Sequence, residues 1–102
     1  MLYLKQNNII FKPQKTFDDC YSINKLPYDF FIPKFNMCVE FDGIQHFKPV
    51  EIFGGVSEFE NLKIRDNIKN EYCRDNGIIL YRIKYTDNVV DKLDSIFNIY
   101  FS

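Results

Sequence analysis

Two carboxylates and the only histidine of the chain fall within the nine residues VEFDGIQHF, which run from Val39 to Phe47. A β-strand directs alternate side chains to opposite faces, so Glu40 and Asp42 are predicted to share a face. Two acids on one face repel each other unless a cation lies between them, and a nearby histidine can exchange protons at neutral pH. The group therefore suits metal binding combined with proton transfer. For an isolated pair of this kind the alternative is a solvated edge strand with two exposed acids.

A third carboxylate is expected beside the first two. The segments YDFFI (28–32) and MCVEFD (37–42) have the composition of strands, and the four residues between them are few enough for an antiparallel hairpin. Such a hairpin would bring Asp29 next to Glu40. A hard divalent ion, Mg²⁺ or Mn²⁺, neutralises carboxylates clustered in this way and fills its other positions with water and phosphate oxygens. The chemistry that fits best is hydrolysis of a phosphodiester bond.

The remaining elements must support this hairpin. We predict a short helix over residues 1–8, a strand over 9–17, a helix over 57–76, a strand over 78–84 and a helix over 89–100. Ser57 and Glu60 form a capping box for the long helix, and Gly77 marks its end. The apolar residues of that helix roughly follow one face: Phe59, Leu62, Ile64, Ile68 and Tyr72. The apolar run 78–84 is typical of a strand that is buried on both sides.

The order of these elements predicts a single α/β domain over residues 1–102. Its sheet would be small and mixed, with about four strands in αβββαβ order and helices on its flanks. A hydrophobic content of 46% and an aromatic content of 18% of all residues are enough for one modest core. Three cysteines without a CxxC pair indicate neither a disulfide framework nor a zinc ribbon. Cys73, on the long helix, is interpreted as a small core residue.

The net charge of −1 argues against a strongly basic coat for nucleic acid, although a cluster of metal-binding acids would itself contribute negative charge. No signal peptide or membrane-spanning run is visible, so we expect a soluble cytoplasmic protein with no membrane partner. The sequence lacks Ala and Trp and is rich in Asn, Ile, Lys, Phe and Tyr. That bias is typical of an AT-rich genome and hints at a phage or another mobile element, which would place the protein in the host cytoplasm.

Several of these residues together resemble a known family. The matching segments are LPYD (26–29), VEFDGIQH (39–46), and, on the long helix, Arg65, Asp66, Lys69 and Asn70. Their order and spacing resemble the PD-(D/E)XK nuclease superfamily, and more closely the very-short-patch-repair-like endonucleases, which include phage and intron-borne homing endonucleases. The resemblance covers about residues 9–84. It implies a restriction-endonuclease-like three-layer fold, a Mg²⁺ or Mn²⁺ cofactor bound by Asp29 and Glu40, and DNA as the substrate.

The resemblance also implies roles for other residues. The usual lysine of the superfamily, two positions after the strand acid, is replaced by Asp42, which we keep among the catalytic candidates. His46 matches the histidine of the very-short-patch-repair-like branch and would be the general base or the group that stabilises the leaving oxygen. Asp66 and Lys69 match polar site residues on the helix, and Lys69 would supply the displaced cation. The family's N-terminal helix carries a Glu that has no counterpart here, and residues 1–8 are interpreted as a truncated form of that helix.

Weaker candidates complete the predicted site. Gln45 and Arg65 are expected to contact water or phosphate, although Gln45 could merely end the strand. Arg82 could contact phosphate or pair with a carboxylate inside the fold. Gly43 is expected to let the backbone turn sharply and approach a phosphate.

The sequence therefore favours a metal-dependent DNA endonuclease or nickase. One alternative is a nuclease-fold module with impaired catalysis that binds DNA or a partner protein, and another is a structural domain whose acids are incidental. No DNA-reading module is visible, so target specificity would come from loops, from an accessory DNA-recognition protein or from a homodimer.

Overall fold

The computed structural model describes residues 2–101 and contains three helices and four strands in αβββαβα order. The elements are α1 (Leu2–Gln6), β1 (Lys12–Lys15), β2 (Tyr28–Ile32), β3 (Met37–Asp42), α2 (Gly55–Asp75), β4 (Ile79–Lys84) and α3 (Val89–Phe101). Three short 3₁₀ turns lie between them, at Pro33–Phe35, Ile44–His46 and Glu51–Phe53. None of the helices in this part of the chain is both long and apolar enough to cross a lipid bilayer.

The four strands form one mixed sheet in the order β1-β2-β3-β4. β1 pairs with β2 and β2 with β3 in antiparallel fashion, whereas β3 and β4 run parallel and are joined through α2. The tight connection after Ile32 is a 3₁₀ turn that ends at Asn36 in the left-handed conformation, with φ 50°. The predicted hairpin and the predicted mixed α/β sheet are thus confirmed. The nuclease fold itself stays a prediction.

Apolar side chains cover both faces of the sheet. On one face α1 and α3 pack against the strands, with a buried cluster of Leu4, Ile9, Ile32, Met37, Val39, Ile83, Leu93, Ile96 and Phe97. On the other face α2 packs over a second cluster of Cys20, Leu26, Tyr28, Phe31, Cys38 and Cys73. The prediction that Cys73 is a core residue is confirmed. Helices on both faces leave the carboxyl ends of β3 and β4 as the open edge at which side chains can meet a ligand.

The boundaries of β2 and β3 agree with the prediction, but those of other elements differ. β1 spans only residues 12–15, and Ile9 is instead buried in the core beside α1. The first residue of the predicted N-terminal helix, Met1, lies outside the described residues. β4 lies at the edge of the sheet, and of its residues only Ile83 is fully buried, so the prediction of a strand buried on both sides was wrong.

The start of the long helix also differs from the prediction. α2 begins at Gly55, two residues before Ser57, and no side-chain hydrogen bond caps its first turn. Gly54, with φ 100°, turns the chain into the helix instead. Positive φ is easily reached by glycine, so the backbone starts the helix where the sequence indicated a capping side chain. Ile64 is exposed and lies off the apolar face, whereas the predicted helix end is confirmed by Gly77, with φ 66°.

Candidate active site

Asp29 and Glu40 lie where the ladder between β2 and β3 stops. Backbone pairing ends at Phe30 and Val39, and beyond this pair the hydrogen bonds between the two strands are made by side chains. The Asp29 N–H donates to Glu40 Oε1 at 2.8 Å, and the Phe41 N–H donates to Asp29 Oδ2 at 2.7 Å. Each carboxylate thus satisfies a backbone donor of the opposite strand that would otherwise lack a partner. The two acids are fixed side by side at one edge of the sheet, as the sequence predicted.

Lys69 from α2 neutralises Glu40. Its Nζ donates to Glu40 Oε2 and to the Pro27 carbonyl, each at 2.8 Å, and lies 4.8 Å from the centre of the Tyr28 ring. Glu40 is only 4% exposed, and burial raises its pKa above the usual value. The hydrogen bond and charge of Lys69 oppose this rise in pKa, while the nearby charge of Asp29 adds to it. Lys69 is therefore the cation that makes a buried acid tolerable here.

Tyr28 holds α2 in position behind Lys69. Its hydroxyl donates to the Lys69 carbonyl at 2.8 Å and lies 3.4 Å from Cys73 Sγ, which donates to it. The hydroxyl and the thiol are both buried, so these bonds are shielded from water. Tyr28 was not among the predicted site residues. The only signal that could have indicated it is its position immediately before Asp29.

His46 is oriented by a carboxylate from the helix. Its Nδ1 lies 2.9 Å from Asp66 Oδ2 and 3.6 Å from Asp42 Oδ1. An ionised carboxylate can only accept, so Nδ1 carries the proton in this hydrogen bond. Among residues 2–101 the other ring nitrogen, Nε2, has no hydrogen-bond partner in the protein. Nε2 is thus the atom that can exchange a proton with a bound molecule.

Asp42 makes an internal ion pair. Both of its oxygens accept from Arg82 Nη1, at 2.9 and 3.2 Å, and the residue is only 6% exposed. Arg82 is held in turn by Asn70, whose Oδ1 accepts from Arg82 Nε at 2.9 Å. Of the two roles left open for Arg82, the structure shows pairing with an internal carboxylate. Glu40 and Asp42 share a face, as predicted, and a separate cation compensates each of them.

A cleft of about 360 Å³ collects the predicted site residues. It is lined by Asp29, Glu40, Gln45, His46, Arg65, Asp66 and Lys69, together with apolar neighbours. Asp42 does not line it and faces a second cleft instead. The second cleft, of about 570 Å³, lies beyond His46 and Asp66, which line both. The structure therefore brings together the predicted site residues except Asp42, Arg82 and Gly43, of which Asp42 and Arg82 line the second cleft.

The structure also shows the surroundings of two weaker candidates, Arg65 and Gly43. Arg65 Nη2 donates to Glu58 Oε1 at 2.5 Å on the partly exposed side of α2. Gly43 precedes the 3₁₀ turn Ile44–His46 with φ −73°, an angle that any residue adopts, so this turn does not depend on glycine; its expected approach to a phosphate stays a prediction. A Cβ at position 43 would lie 2.5 Å from Gln45 Oε1, which belongs to a flexible side chain that can move.

Comparison with known proteins gives two viral relatives. No protein-family model and no solved structure matches the chain. Uncharacterized protein 307L of Invertebrate iridescent virus 6 is 37% identical over 62 residues, which are 60% of this chain and 32% of the viral protein. Uncharacterized protein 033L of Invertebrate iridescent virus 3 is 33% identical over 69 residues, which are 67% of this chain and 36% of the viral protein. The chain thus spans about a third of the length of these relatives.

Proposed function

We propose that the protein is a metal-dependent DNA endonuclease or nickase of the PD-(D/E)XK type. The observation that carries the proposal is the cleft in which Asp29 and Glu40 lie with Lys69 and with the unpartnered Nε2 of His46. A pair of acids, a cation and a proton acceptor are the groups that phosphodiester hydrolysis requires. A host-cell cytoplasmic location goes with this proposal, and the two similar viral proteins are compatible with it.

The chemistry of the donor set fits Mg²⁺ or Mn²⁺. Within residues 2–101 no three His, Cys, Asp or Glu side chains are grouped to hold a metal, so the donors would be the Asp29 and Glu40 pair. Mg²⁺ typically binds to one or two protein carboxylates and keeps water and phosphate oxygens as its other ligands. When bound, such an ion would polarise the phosphate and lower the pKa of a water molecule. Asp29 Oδ1 makes no hydrogen bond within the described residues, so it is the atom of this pair that is free to bind the metal.

His46 would move the proton in this reaction. Hydrolysis forms a bond from a water oxygen to phosphorus and breaks the bond from phosphorus to the leaving sugar oxygen. The water must lose a proton and the leaving oxygen must gain one. Nε2 of His46 would accept the first or donate the second, because Asp66 holds the ring through Nδ1 and Nε2 has no partner among the described residues.

Lys69 would have a separate role. Its ammonium lies within the cleft and is fixed by Glu40, the Pro27 carbonyl and the Tyr28 ring. A fixed cation beside a phosphate stabilises the negative charge that builds up as the nucleophile attacks. Lys69 thus takes over from the strand lysine of the superfamily, whose position is occupied by Asp42.

The test is incubation of supercoiled plasmid with the protein in Mg²⁺, Mn²⁺ or EDTA. We expect relaxed circles or linear DNA with either metal and neither product in EDTA. Asp29→Asn should abolish the products, whereas Asp18→Asn, at an exposed acid outside the cleft, should cleave like the parent. Equal products from the parent and from Asp29→Asn would reject the proposal.

The second candidate is a nuclease-fold module with impaired catalysis that binds DNA or a partner protein. It is favoured by the hydrogen bonds from Asp29 N–H and Lys69, which already engage both Glu40 oxygens. A parent protein that binds Mn²⁺ and DNA but cleaves no plasmid would support this module. In either proposal, an accessory DNA-recognition protein or a homodimer would supply the target specificity.

A further inference from the structure

The second cleft lies at the carboxyl ends of the parallel strands β3 and β4, on the far side of His46 and Asp66 from the Asp29–Glu40 pair. Ligands of open α/β sheets commonly bind at this edge. Its volume of about 570 Å³ is in the range of pockets for single small molecules and is too small for a duplex. Asp42 and Arg82 at its base neutralise each other. The remaining lining residues therefore determine what it can bind.

Two unpaired lysines converge on an exposed ring in this cleft. Lys63 Nζ lies 5.4 Å and Lys84 Nζ 5.7 Å from the centre of Phe47, which is 40% exposed. No carboxylate within residues 2–101 lies within ion-pair distance of either ammonium. Two like charges held near one ring repel each other, so an anion between them would lower the electrostatic energy. Asp66, the other acid of the cleft, is hydrogen-bonded to His46, so the two lysines leave an excess of positive charge that suits a negatively charged ligand.

The exposed rings of Phe47 and Tyr85 favour a planar ligand as well. Phe47 contacts Tyr85, which adjoins the cleft without lining it, with ring centres 5.8 Å apart, and Tyr85 is 54% exposed. Two neighbouring exposed rings are costly in water unless another apolar face covers them. Asn67, which also lines the cleft, offers an amide that can hydrogen-bond to the edge of such a ligand. A nucleotide has all three features: a planar base, polar base edges and a charged phosphate.

We propose that this cleft binds one unpaired nucleotide of the nucleic-acid strand whose phosphodiester lies in the neighbouring cleft. Its base stacks on Phe47 and the adjoining Tyr85 in place of the Lys63 and Lys84 ammonium groups, which move from over the Phe47 ring to contact the flanking phosphates. The base must be unpaired because stacking on a side chain needs a free base face. His46 and Asp66 line both clefts, so the strand passes over them from one cleft to the other. This inference rests on the proposed function only in taking nucleic acid as the ligand.

The experiment measures binding without catalysis. A fluorescein-labelled single-stranded oligonucleotide of ~12 nucleotides is titrated with protein in EDTA, and fluorescence anisotropy gives Kd at several salt concentrations. Phe47→Leu should weaken binding about tenfold and leave the salt dependence unchanged, because only stacking is lost. Lys84→Gln should reduce the slope of log Kd against log salt by about 0.7, the value for one phosphate contact to a single strand. Phe47 and Lys84 are both on the surface, so neither variant should disturb the fold.

Matched controls lie outside the cleft. Tyr21→Leu removes an aromatic ring that is 60% exposed, and Lys92→Gln removes a surface lysine of α3. Both should bind the oligonucleotide like the parent. A duplex of the same sequence should bind with no dependence on Phe47, since its base faces are already stacked.

Each result decides the inference separately from the proposed function. Absence of oligonucleotide binding by the parent, or parent-like binding by Phe47→Leu, overturns the inference even if plasmid is cleaved. Equal sensitivity of single-stranded and duplex binding to Phe47→Leu overturns the requirement for an unpaired base. Binding that depends on Phe47 and Lys84 in a protein that never cleaves plasmid supports the inference and rejects the nuclease function.

Discussion

The side chains of Asp29 and Glu40 each accept a hydrogen bond from the main chain of the opposite strand. The Asp29 N–H donates to Glu40 Oε1, and the Phe41 N–H donates to Asp29 Oδ2. The reciprocal bonds replace the ladder bonds that would otherwise continue the pairing of β2 and β3. They fix both carboxylates without any need for a metal. A metal site built on this pair would therefore be largely preformed, which lowers the entropic cost of binding.

Metal affinity should depend strongly on Asp29. We expect isothermal calorimetry to show Mn²⁺ binding to the parent and a loss on the order of 10²-fold in Asp29→Ala, because even outer partners of a metal site contribute 10- to 100-fold. Asp18→Ala, in an exposed ion pair with Lys25, is the matched control and should bind like the parent. Metal should also raise the Tm of the parent through preferential binding to the native state. Unchanged Mn²⁺ affinity in Asp29→Ala would remove Asp29 from the site.

Substitution of His46 should separate metal binding from turnover. His46→Ala removes the Nε2 atom but leaves Asp29 and Glu40 in place, so Mn²⁺ affinity should persist while the rate of plasmid cleavage falls by roughly 10²-fold or more. Asp66→Asn should lower the rate through misorientation of the ring and also leave metal affinity intact. Cleavage at the parental rate by His46→Ala, or metal loss as severe as in Asp29→Ala, would contradict this division of roles.

The ion pair between Asp42 and Arg82 should be important for stability. Arg82→Met would leave a buried carboxylate without its cation, and such losses cost about 3–5 kcal/mol. Urea denaturation measures the change in the free energy of unfolding. Arg74→Met is the control, since Arg74 pairs with Asp75 on the exposed surface and should contribute less than about 1 kcal/mol. A loss in Arg82→Met no larger than in Arg74→Met would show that the pair is dispensable.

The pH dependence of stability should reveal the contact between Tyr3 and Asp94. Burial, together with the 2.5 Å hydrogen bond to Asp94 Oδ1, raises the pKa of Tyr3 from 10.0 to about 12. The folded state therefore holds this proton more tightly than the unfolded chain. Its contribution to stability is complete below pH 10 and is lost as the pH rises toward about 12.

Tyr3→Phe isolates that contribution. The difference in unfolding free energy between the parent and this variant should be constant up to about pH 10 and then shrink. Urea melts at a series of pH values between neutrality and pH 11 would measure it, with the other tyrosines cancelling in the difference. A difference that stays flat above pH 10 would show that Tyr3 ionises normally in the fold.

Local patterns predicted the hairpin and the meeting of Asp29 with Glu40. The alternation of β3 and the short connection after Ile32 depend only on neighbouring residues, and both were read correctly. The partners of those acids were not predictable in the same way. The bonds from Lys69 to Glu40 and from Arg82 to Asp42 depend on how α2 crosses the sheet, which no local pattern specifies.

Local sequence signals were also misleading about the start of α2 and about the burial of β4. Ser57 and Glu60 matched a capping box, but the positive φ of Gly54 starts the helix earlier. The apolar run of β4 suggested complete burial, but the strand lies at the sheet edge with α2 and α3 covering its faces only in part. The identity of a strand can be read from its composition, whereas its place in the sheet depends on long-range pairing.

The parallel crossover from β3 through α2 to β4 predicts an order of events during folding. The hairpin that carries Asp29 and Glu40 closes over 11 residues, whereas Lys69 reaches Glu40 across 29 residues and Arg82 reaches Asp42 across 40. Short loops close faster because they lose less chain entropy. We therefore expect the acids to come together before their cations arrive, with electrostatic repulsion that opposes formation of the early hairpin. A dissolved divalent ion that shields those acids would speed refolding at the step before α2 docks.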